Sequence, residues 1–252
     1  MVQICALASG SNGNCYYVGN AEEAVIIDIG ISNRQLKERL NDAGLSIKKI
    51  KAVFISHEHS DHIKGMHSLS KKNDIAVYAT KKTYDKAYKG LHSNKTVHFE
   101  PGDTLTIGSL KVHSFSKLHD ASDPVSFRIE IDGLNIAVLT DLGCATPLVV
   151  DHLKLCHAAF LETNYEHDML MNGKYPSFLK KRVSSNLGHL SNDQAVELIT
   201  SLNGSPLKTV FLSHISADNN RIDLALEKFK PFQQKLQIEA TSRHAVSKVV
   251  TI

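Results

Sequence analysis

Residues 53–65, Val-Phe-Ile-Ser-His-Glu-His-Ser-Asp-His-Ile-Lys-Gly, set an apolar run directly against a cluster of metal-binding side chains. Val53, Phe54 and Ile55 are β-branched or aromatic and read as a buried strand, and the Gly65 side reads as the start of a helix or loop. The polar cluster therefore falls at the strand's carboxyl end, where open α/β sheets build their sites. His57, His59, Asp61 and His62 lie within six residues, and imidazole with carboxylate is the donor chemistry of divalent transition metals. In a turn, His57 and His59 can point one way while Asp61 and His62 point another, which suits two adjacent ions. A polar loop enriched by chance is the plain alternative in a chain with 14 His. The His-x-His-x-Asp-His spacing is far more specific than a lone pair.

Other candidate ligands sit at or just beyond the ends of apolar runs. Asp28 closes the run from Ala24 to Ile29, His119 lies in Leu118-His119-Asp120-Ala121, Asp141 follows Ile136 to Thr140, and His214 follows Val210 to Ser213. With these positions in order, the His cluster resembles the signature of the metallo-β-lactamase-fold hydrolases, over nearly the whole chain. The resemblance implies an α/β (α+β) fold, a four-layer αββα sandwich with a dinuclear metal site at one edge of the sheets. Carried over residue by residue, it implies that His57, His59 and His119 hold the first metal and that Asp61, His62 and His214 hold the second. Asp141 would bridge them, and Asp28 would fix the orientation of the His-bearing loop. Glu58, between ligands, is expected to point outward. Five neutral imidazoles and two carboxylates leave a pair of dications with net positive charge, suited to an anionic substrate and a shared hydroxide. No Cys occupies a matched ligand position, so zinc is the default metal, and manganese or iron accepts the same N/O set.

The candidate catalytic residues are Asp61, His189 and Glu162. Gly188-His189-Leu190-Ser191-Asn192, a helix, a strand and Leu212-Ser213-His214-Ile215-Ser216 resemble the carboxyl-terminal arrangement of nucleic-acid phosphodiesterases related to tRNA-processing ribonuclease. That resemblance implies that His189, oriented by Glu162, protonates the leaving oxygen or clamps the scissile phosphate. The plain alternative is a helix-capping His. Ser9-Gly-Ser-Asn-Gly-Asn14, His119-Asp-Ala-Ser-Asp123-Pro124 and Gly188-His-Leu-Ser-Asn192 together resemble the YycJ/WalJ (VicX) group of bacterial proteins. The activity this implies is a 5′ to 3′ exonuclease acting on DNA through a metal-bridging hydroxide. Neither a long inserted domain nor a protruding tRNA-binding arm is evident, which argues against RNA maturation. Two alternatives stand beside it: a small-molecule phosphodiesterase or thioesterase of the same fold, and a metal-stabilised regulatory module without catalysis.

The bulk properties set the frame. At 252 residues, 42% hydrophobic and 22% charged, the chain reads as one soluble globular domain, 1–252, in two pseudo-symmetric halves divided near residue 120. No apolar run approaches the roughly 18 residues of a membrane span, and the first strand begins without a basic-then-apolar leader, so a cytoplasmic protein without membrane contact is expected. A net charge of +3 permits a phosphate-rich partner without demanding one. The four Cys have no Cys-x-x-Cys spacing and read as free thiols. Helices are expected from Ser32 to Leu40, Ile63 to Lys72, Lys81 to Lys89, Pro147 to Leu155, Ser191 to Leu202 and Asn220 to Phe229. The Lys81–Lys89 stretch interleaves Lys and Tyr, as a phosphate-contacting or merely solvated helix face would. The thirty residues or so after Glu162-Thr-Asn164 read as polar and less regular, and His113, alternating on a strand, reads as structural.

Overall fold

Apolar runs without alternation, such as Ala24-Val-Ile-Ile27 and Ala158-Ala-Phe-Leu161, need cover on both faces. The chain supplies it by stacking two sheets and flanking each with helices. The computed structural model describes residues 1–87 and 95–252. The first sheet is laid down by β1 (Gln3–Ala8), β2 (Cys15–Gly19), β3 (Ala24–Ile27), β4 (Ile50–Phe54), β5 (Ala76–Thr80) and β6 (Thr96–Phe99). Helices α1 (Asn33–Asp42), α2 (Ser60–Ile63), α3 (Met66–Asn73) and α4 (Lys81–Ala87) intervene. The second sheet contains β7 (Thr104–Ile107), β8 (Leu110–Ser116), β9 (Val125–Ile131), β10 (Leu134–Leu139), β11 (Ala158–Glu162), β12 (Thr209–Ser213) and β13 (Gln237–Ala240). Its helices are α5 (Pro147–Lys154), α6 (His167–Asn172), α7 (Ser177–Val183), α8 (Asn192–Thr200) and α9 (Ile222–Phe229). A last strand, β14 (Val250–Thr251), returns to the first sheet. The orders are β14-β1-β2-β3-β4-β5-β6 and β13-β12-β11-β10-β9-β8-β7.

Strand periodicity divides the core. Along β4 and the residue after it, Ala52 and Phe54 join the inter-sheet core, while Val53 and Ile55 turn to the helices that cover the first sheet. Between the sheets Phe54 stacks on Tyr78 (ring centroids 4.6 Å) and meets Phe127 edge-on at 5.6 Å, and Phe160 lies against Tyr16 and Phe211. Each such ring contributes about 1.5–3 kcal/mol through burial. On the outer face of the second sheet, Leu153, Leu198, Ala225 and Phe229 cover Ala159, Leu161 and Leu212. The result is the expected four-layer αββα sandwich.

The caps follow the sequence. Ser32 and Gln35 form a capping box at α1, as do Ser191 and Gln194 at α8, and Gly44 ends α1 at φ +66°. Two stretches depart from expectation. The single helix expected from Ile63 to Lys72 is two, α2 and α3, interrupted where Gly65 donates its N–H to Ile29 O at 2.8 Å and packs on the Ile31 carbonyl. A continuous helix cannot give up that N–H. The segment after Asn164 contains α6 and α7, whose Leu170 and Val183 make a small core with buried Tyr165. The expected Lys81–Lys89 helix runs to Ala87, and Tyr88 and Lys89 lie outside the described residues.

β3, β4 and β5 run parallel, as do β10, β11 and β12, and β1 and β8 point the same way as their parallel neighbours. The carboxyl ends of these strands form one edge of the sandwich, and the loops leaving them converge there. Gly30 is the hinge of that convergence. Its N–H bonds Asn14 O (2.8 Å), Asn14 N–H bonds Asp61 O (2.7 Å), and a Cβ at Gly30 would collide with the Asp61 carbonyl. Gly30→Ala is expected to destabilise the fold by about 1–3 kcal/mol by overpacking and to weaken metal uptake by shifting Asp61 and His62. Thermal unfolding with calorimetric metal titration checks this; a variant matching the parent in both would show the approach to be unimportant.

Candidate metal centre

At this edge three residues leave their strands in a left-handed backbone conformation: Asp28 after β3 (φ +61°), Asp141 after β10 (φ +54°) and His214 after β12 (φ +55°). For residues other than Gly this conformation costs of order 1 kcal/mol and persists where surrounding structure holds it. Here it turns each side chain across the sheet edge towards the loop after β4. The seven residues expected to be ligands, with Asp28, Glu162 and His189, are thereby gathered into one region.

Hydrogen bonds fix how the imidazoles face. Ser56 Oγ and His62 Nδ1 both donate to Asp28 Oδ2, at 2.8 and 2.7 Å, and Ser56 N–H donates to Asp28 Oδ1 at 2.8 Å. With its own proton given to Asp28, Ser56 Oγ accepts from His57 Nδ1 at 2.9 Å. His119 Nδ1 donates to Gly188 O (3.0 Å), and His214 Nδ1 donates to Glu162 Oε1 (2.9 Å). Four rings thus commit their Nδ1 protons outward and present Nε2 inward, the arrangement that a metal-ligating imidazole requires.

The inward atoms fall into sets that fit ions. His57 Nε2 and His119 Nε2 lie 3.1 and 3.3 Å from His59 Nδ1. Tetrahedral coordination with metal–nitrogen bonds of ~2.0 Å separates neighbouring ligands by ~3.3 Å. Lone pairs of His57 and His119 at that spacing from His59 Nδ1 are satisfied together by a cation among the three nitrogens. A second set joins Asp61, His62 and His214, and Asp141 connects the two, with Oδ2 3.1 Å from His62 Nε2 and Oδ1 3.8 Å from His119 Nε2. Asp141 Oδ2 and His214 Nε2 are buried without a hydrogen-bond partner. Buried polar atoms left so are uncommon, and here both face the same space. The residues present therefore fit divalent metal ions.

The electrostatics agree. Burial keeps His57 and His119 neutral, the latter with a pKa lowered to about 4, so both are lone-pair donors at pH 7. Burial opposes charge on His214 as well, but Asp141, Asp61 and Glu162 overcome it and lift its pKa to about 10; Asp141, Asp28 and Asp61 likewise raise His62. Without a cation the carboxylates hold extra protons on these rings. Metal uptake at neutral pH must release them.

Glu162 lies at the centre of a further network. Fully buried at the end of β11, it receives His189 Nδ1 (2.8 Å) and His214 Nδ1 on Oε1, and the N–H groups of Leu142 (2.6 Å) and Leu190 (3.2 Å) on Oε2. Burial works against its ionisation, but His189 and His214 lower its pKa to about 2. His189 reaches the cleft, and Glu162, with no exposure, meets it only through the two imidazoles. The cleft, ≈310 Å³, is also lined by Asn164, Tyr175 and Arg182.

Several further contacts complete the site. Asn14 Nδ2 donates to Asp61 Oδ2 at 3.1 Å, giving the Gly/Ser/Asn loop a direct role at the site. Lys117 is buried with its Nζ donating to Thr140 O (2.7 Å); burial lowers its pKa, and the site's carboxylates oppose the shift. Glu58 does not point outward: half-buried, its Oε1 accepts from Ser122 N (2.9 Å) and Oγ (2.7 Å), tying the β4 loop to the β8–β9 loop. His113 is structural as expected, held by Thr104 and Glu130. The four Cys are free. No helix among the described residues is long and apolar enough to cross a membrane.

Comparison with known proteins accords with this geometry. Exodeoxyribonuclease YycJ of Bacillus anthracis is 34% identical over 87% of this chain and 84% of its own length. Exodeoxyribonuclease WalJ of Streptococcus pneumoniae is 33% identical over 87% of this chain and 83% of its own length. The crystal structure of the metallo-β-lactamase-fold protein YhfI from Bacillus subtilis superposes with a TM-score of 0.73 at 14% identity, covering 98% of this chain and 99% of that one. Residues 23–215 match the family described as the beta-lactamase superfamily domain. A chain that carries this match over most of its length belongs to that family, the metal-dependent hydrolases of the metallo-β-lactamase fold.

Proposed function

We propose that this protein is a DNA exonuclease, degrading strands 5′ to 3′ by hydrolysis of phosphodiester bonds at a dinuclear metal centre. The observation that carries the hydrolytic reading is His189: outside the seven ligands that the sequence assigns to the two ions, yet held 2.8 Å from Glu162 and open to the cleft. DNA as substrate is favoured by the identity, along most of the chain, to proteins named exodeoxyribonucleases. In this reading His57, His59 and His119 hold one ion, Asp61, His62 and His214 the other, and Asp141 serves both. Zinc is the default occupant, with manganese or iron accepted by the same donors. The bound ions supply Lewis acidity and a water acidified towards neutrality. The chain's own contribution is positional. Asp28 and Ser56 lock the rings of His57 and His62, and Asn14 holds Asp61. Glu162 accepts a hydrogen bond from His189 Nδ1–H and so aims the ring, whose protonated form gives its Nε2 proton to the leaving oxygen and keeps the one on Nδ1. The whole chain, 1–252, acts as one domain, in the cytoplasm.

End-labelled single- and double-stranded DNA tests the reading. The purified protein is expected to shorten it progressively, to stop on chelation and to resume with zinc or manganese. His189→Ala is expected to keep its metal content and lose about 10²- to 10⁴-fold in rate, the usual value of a general acid. If the doubly loaded protein leaves both DNA forms intact, as Asp141→Ala does, the nuclease reading is wrong. Hydrolysis of bis-p-nitrophenyl phosphate without DNA cleavage would instead assign the centre to small phosphodiesters.

A further inference from the structure

Phe178 on α7 is 73% exposed, the most exposed aromatic side chain among the described residues. It is not there to pack the protein. Leu179 and Val183, one and five positions on, carry the inward face of α7 against Tyr165 and Leu170, and burying a Phe would contribute about 1.5–3 kcal/mol that this position forgoes. What surrounds Phe178 is specific. Arg182, four residues on and so about 6 Å away on the same helix face, lines the catalytic cleft, and its Nε bonds Asp120 Oδ2 at 2.5 Å, beside the candidate ligand His119. Lys181 is exposed next to it, and α7 carries no acidic residue.

The surroundings are also apolar. Leu187 O accepts from Asp120 N–H, and Leu118 O accepts from Gly143 N–H, so the loops bearing Leu118 and Leu187, 42% and 48% exposed, meet beside the Arg182–Asp120 pair. Beside the cleft, on the side that Arg182 and Val183 line, α7 thus offers an exposed ring with Lys181 and the Arg182–Asp120 pair next to it. An aromatic face among positive charges matches one occupant: a strand with unpaired bases, whose phosphates meet Arg182 and Lys181 and whose base stacks on the ring.

We infer that Phe178 is the stacking platform for an unpaired nucleobase next to the scissile phosphate, so that the enzyme engages DNA whose end is single-stranded or frayed. The inference rests on the nuclease reading and deepens it. In an intact duplex each base face is already stacked on its neighbour, leaving nothing for Phe178. Stacking ignores base identity, which suits an enzyme that must step along any sequence.

The chain has no Trp, so Phe178→Trp installs a single fluorophore at this position. In metal-free protein, where no cleavage can intervene, oligothymidylate is expected to quench its emission strongly. An abasic sugar-phosphate oligomer of the same length and a blunt duplex are expected to quench it little. Phe178→Ala should weaken oligothymidylate binding by about five- to a hundredfold, and the wild-type preference for the base-bearing over the abasic oligomer should collapse towards unity. Equal quenching by the abasic oligomer, or none by either, overturns the inference. So does a blue-shifted emission that depends on protein concentration alone, which would give this face to a second copy of the chain. Cleavage is scored separately: quenching without cleavage by the loaded wild type sinks the nuclease reading, and cleavage without quenching sinks the platform.

Discussion

Asp141→Asn is expected to lower phosphodiester hydrolysis by on the order of 10³-fold or more and to reduce bound metal below two ions per chain. The carboxylate sits between the two donor sets, Oδ2 3.1 Å from His62 Nε2 and Oδ1 3.5 Å from His214 Nδ1 and 3.8 Å from His119 Nε2. Lewis-acid stabilisation of a phosphoryl oxygen is worth several kcal/mol, and each 1.36 kcal/mol is a factor of ten, so loss of a ligand that serves both ions, as proposed for Asp141, would reach 10³ readily. Asn is the informative replacement. It keeps the size and, like Asp, accepts the left-handed backbone at φ +54°. Ala would add backbone strain to the loss of charge. Elemental analysis after dialysis, circular dichroism and kcat/KM on a phosphodiester give the three readouts. A folded Asp141→Asn protein holding two ions at the parental rate would remove Asp141 from the centre.

Why Asp141 could be named from sequence, while other parts of the site could not, has a physical basis. Runs such as Ile136–Leu139 and Val210–Leu212 are buried on both faces, and the polar residue that ends each run marks the sheet edge. That signal is local, and it also locates Asp28 and the His57–His62 cluster. The orienting contacts are not local. His119 is aimed by the carbonyl of Gly188, a backbone atom 69 residues away whose side chain encodes nothing about it. Asn14 reaches Asp61 because the β1–β2 loop folds over Gly30, and this depends on tertiary approach. Glu58 looked like a spacer between ligands because its partner Ser122 lies in another loop. The α6–α7 segment escaped notice because its few buried residues, Leu170 and Val183 among them, are too sparse to mark a helical stripe. His214 is intermediate: the preceding strand announces a site residue, but nothing in the sequence announces its left-handed turn.

Glu162→Gln tests the buried carboxylate that links His214 to His189. The amide preserves the shape and can still accept the N–H groups of Leu142 and Leu190, but it removes the charge facing His189 and His214. On the ligand side, losing the acceptor that orients His214 is expected to weaken metal binding about 10- to 100-fold. On the acid side, a His189 no longer held by an ion should lose much of the 10²- to 10⁴-fold a general acid supplies. With saturating metal the first effect vanishes and the second persists, so kcat measured in excess zinc or manganese separates them. A pH signature follows from the pKa of about 2, depressed from the ordinary 4.5. A carboxylate more acidic in the folded than in the unfolded chain adds stability that is complete above pH 4.5 and lost as the pH falls through about 2. Chemical denaturation of metal-free protein between these limits should show a shallower loss of stability for Glu162→Gln than for the parent. Parallel curves, together with unchanged kcat at saturating metal, would reduce Glu162 to a polar filler at the end of a strand.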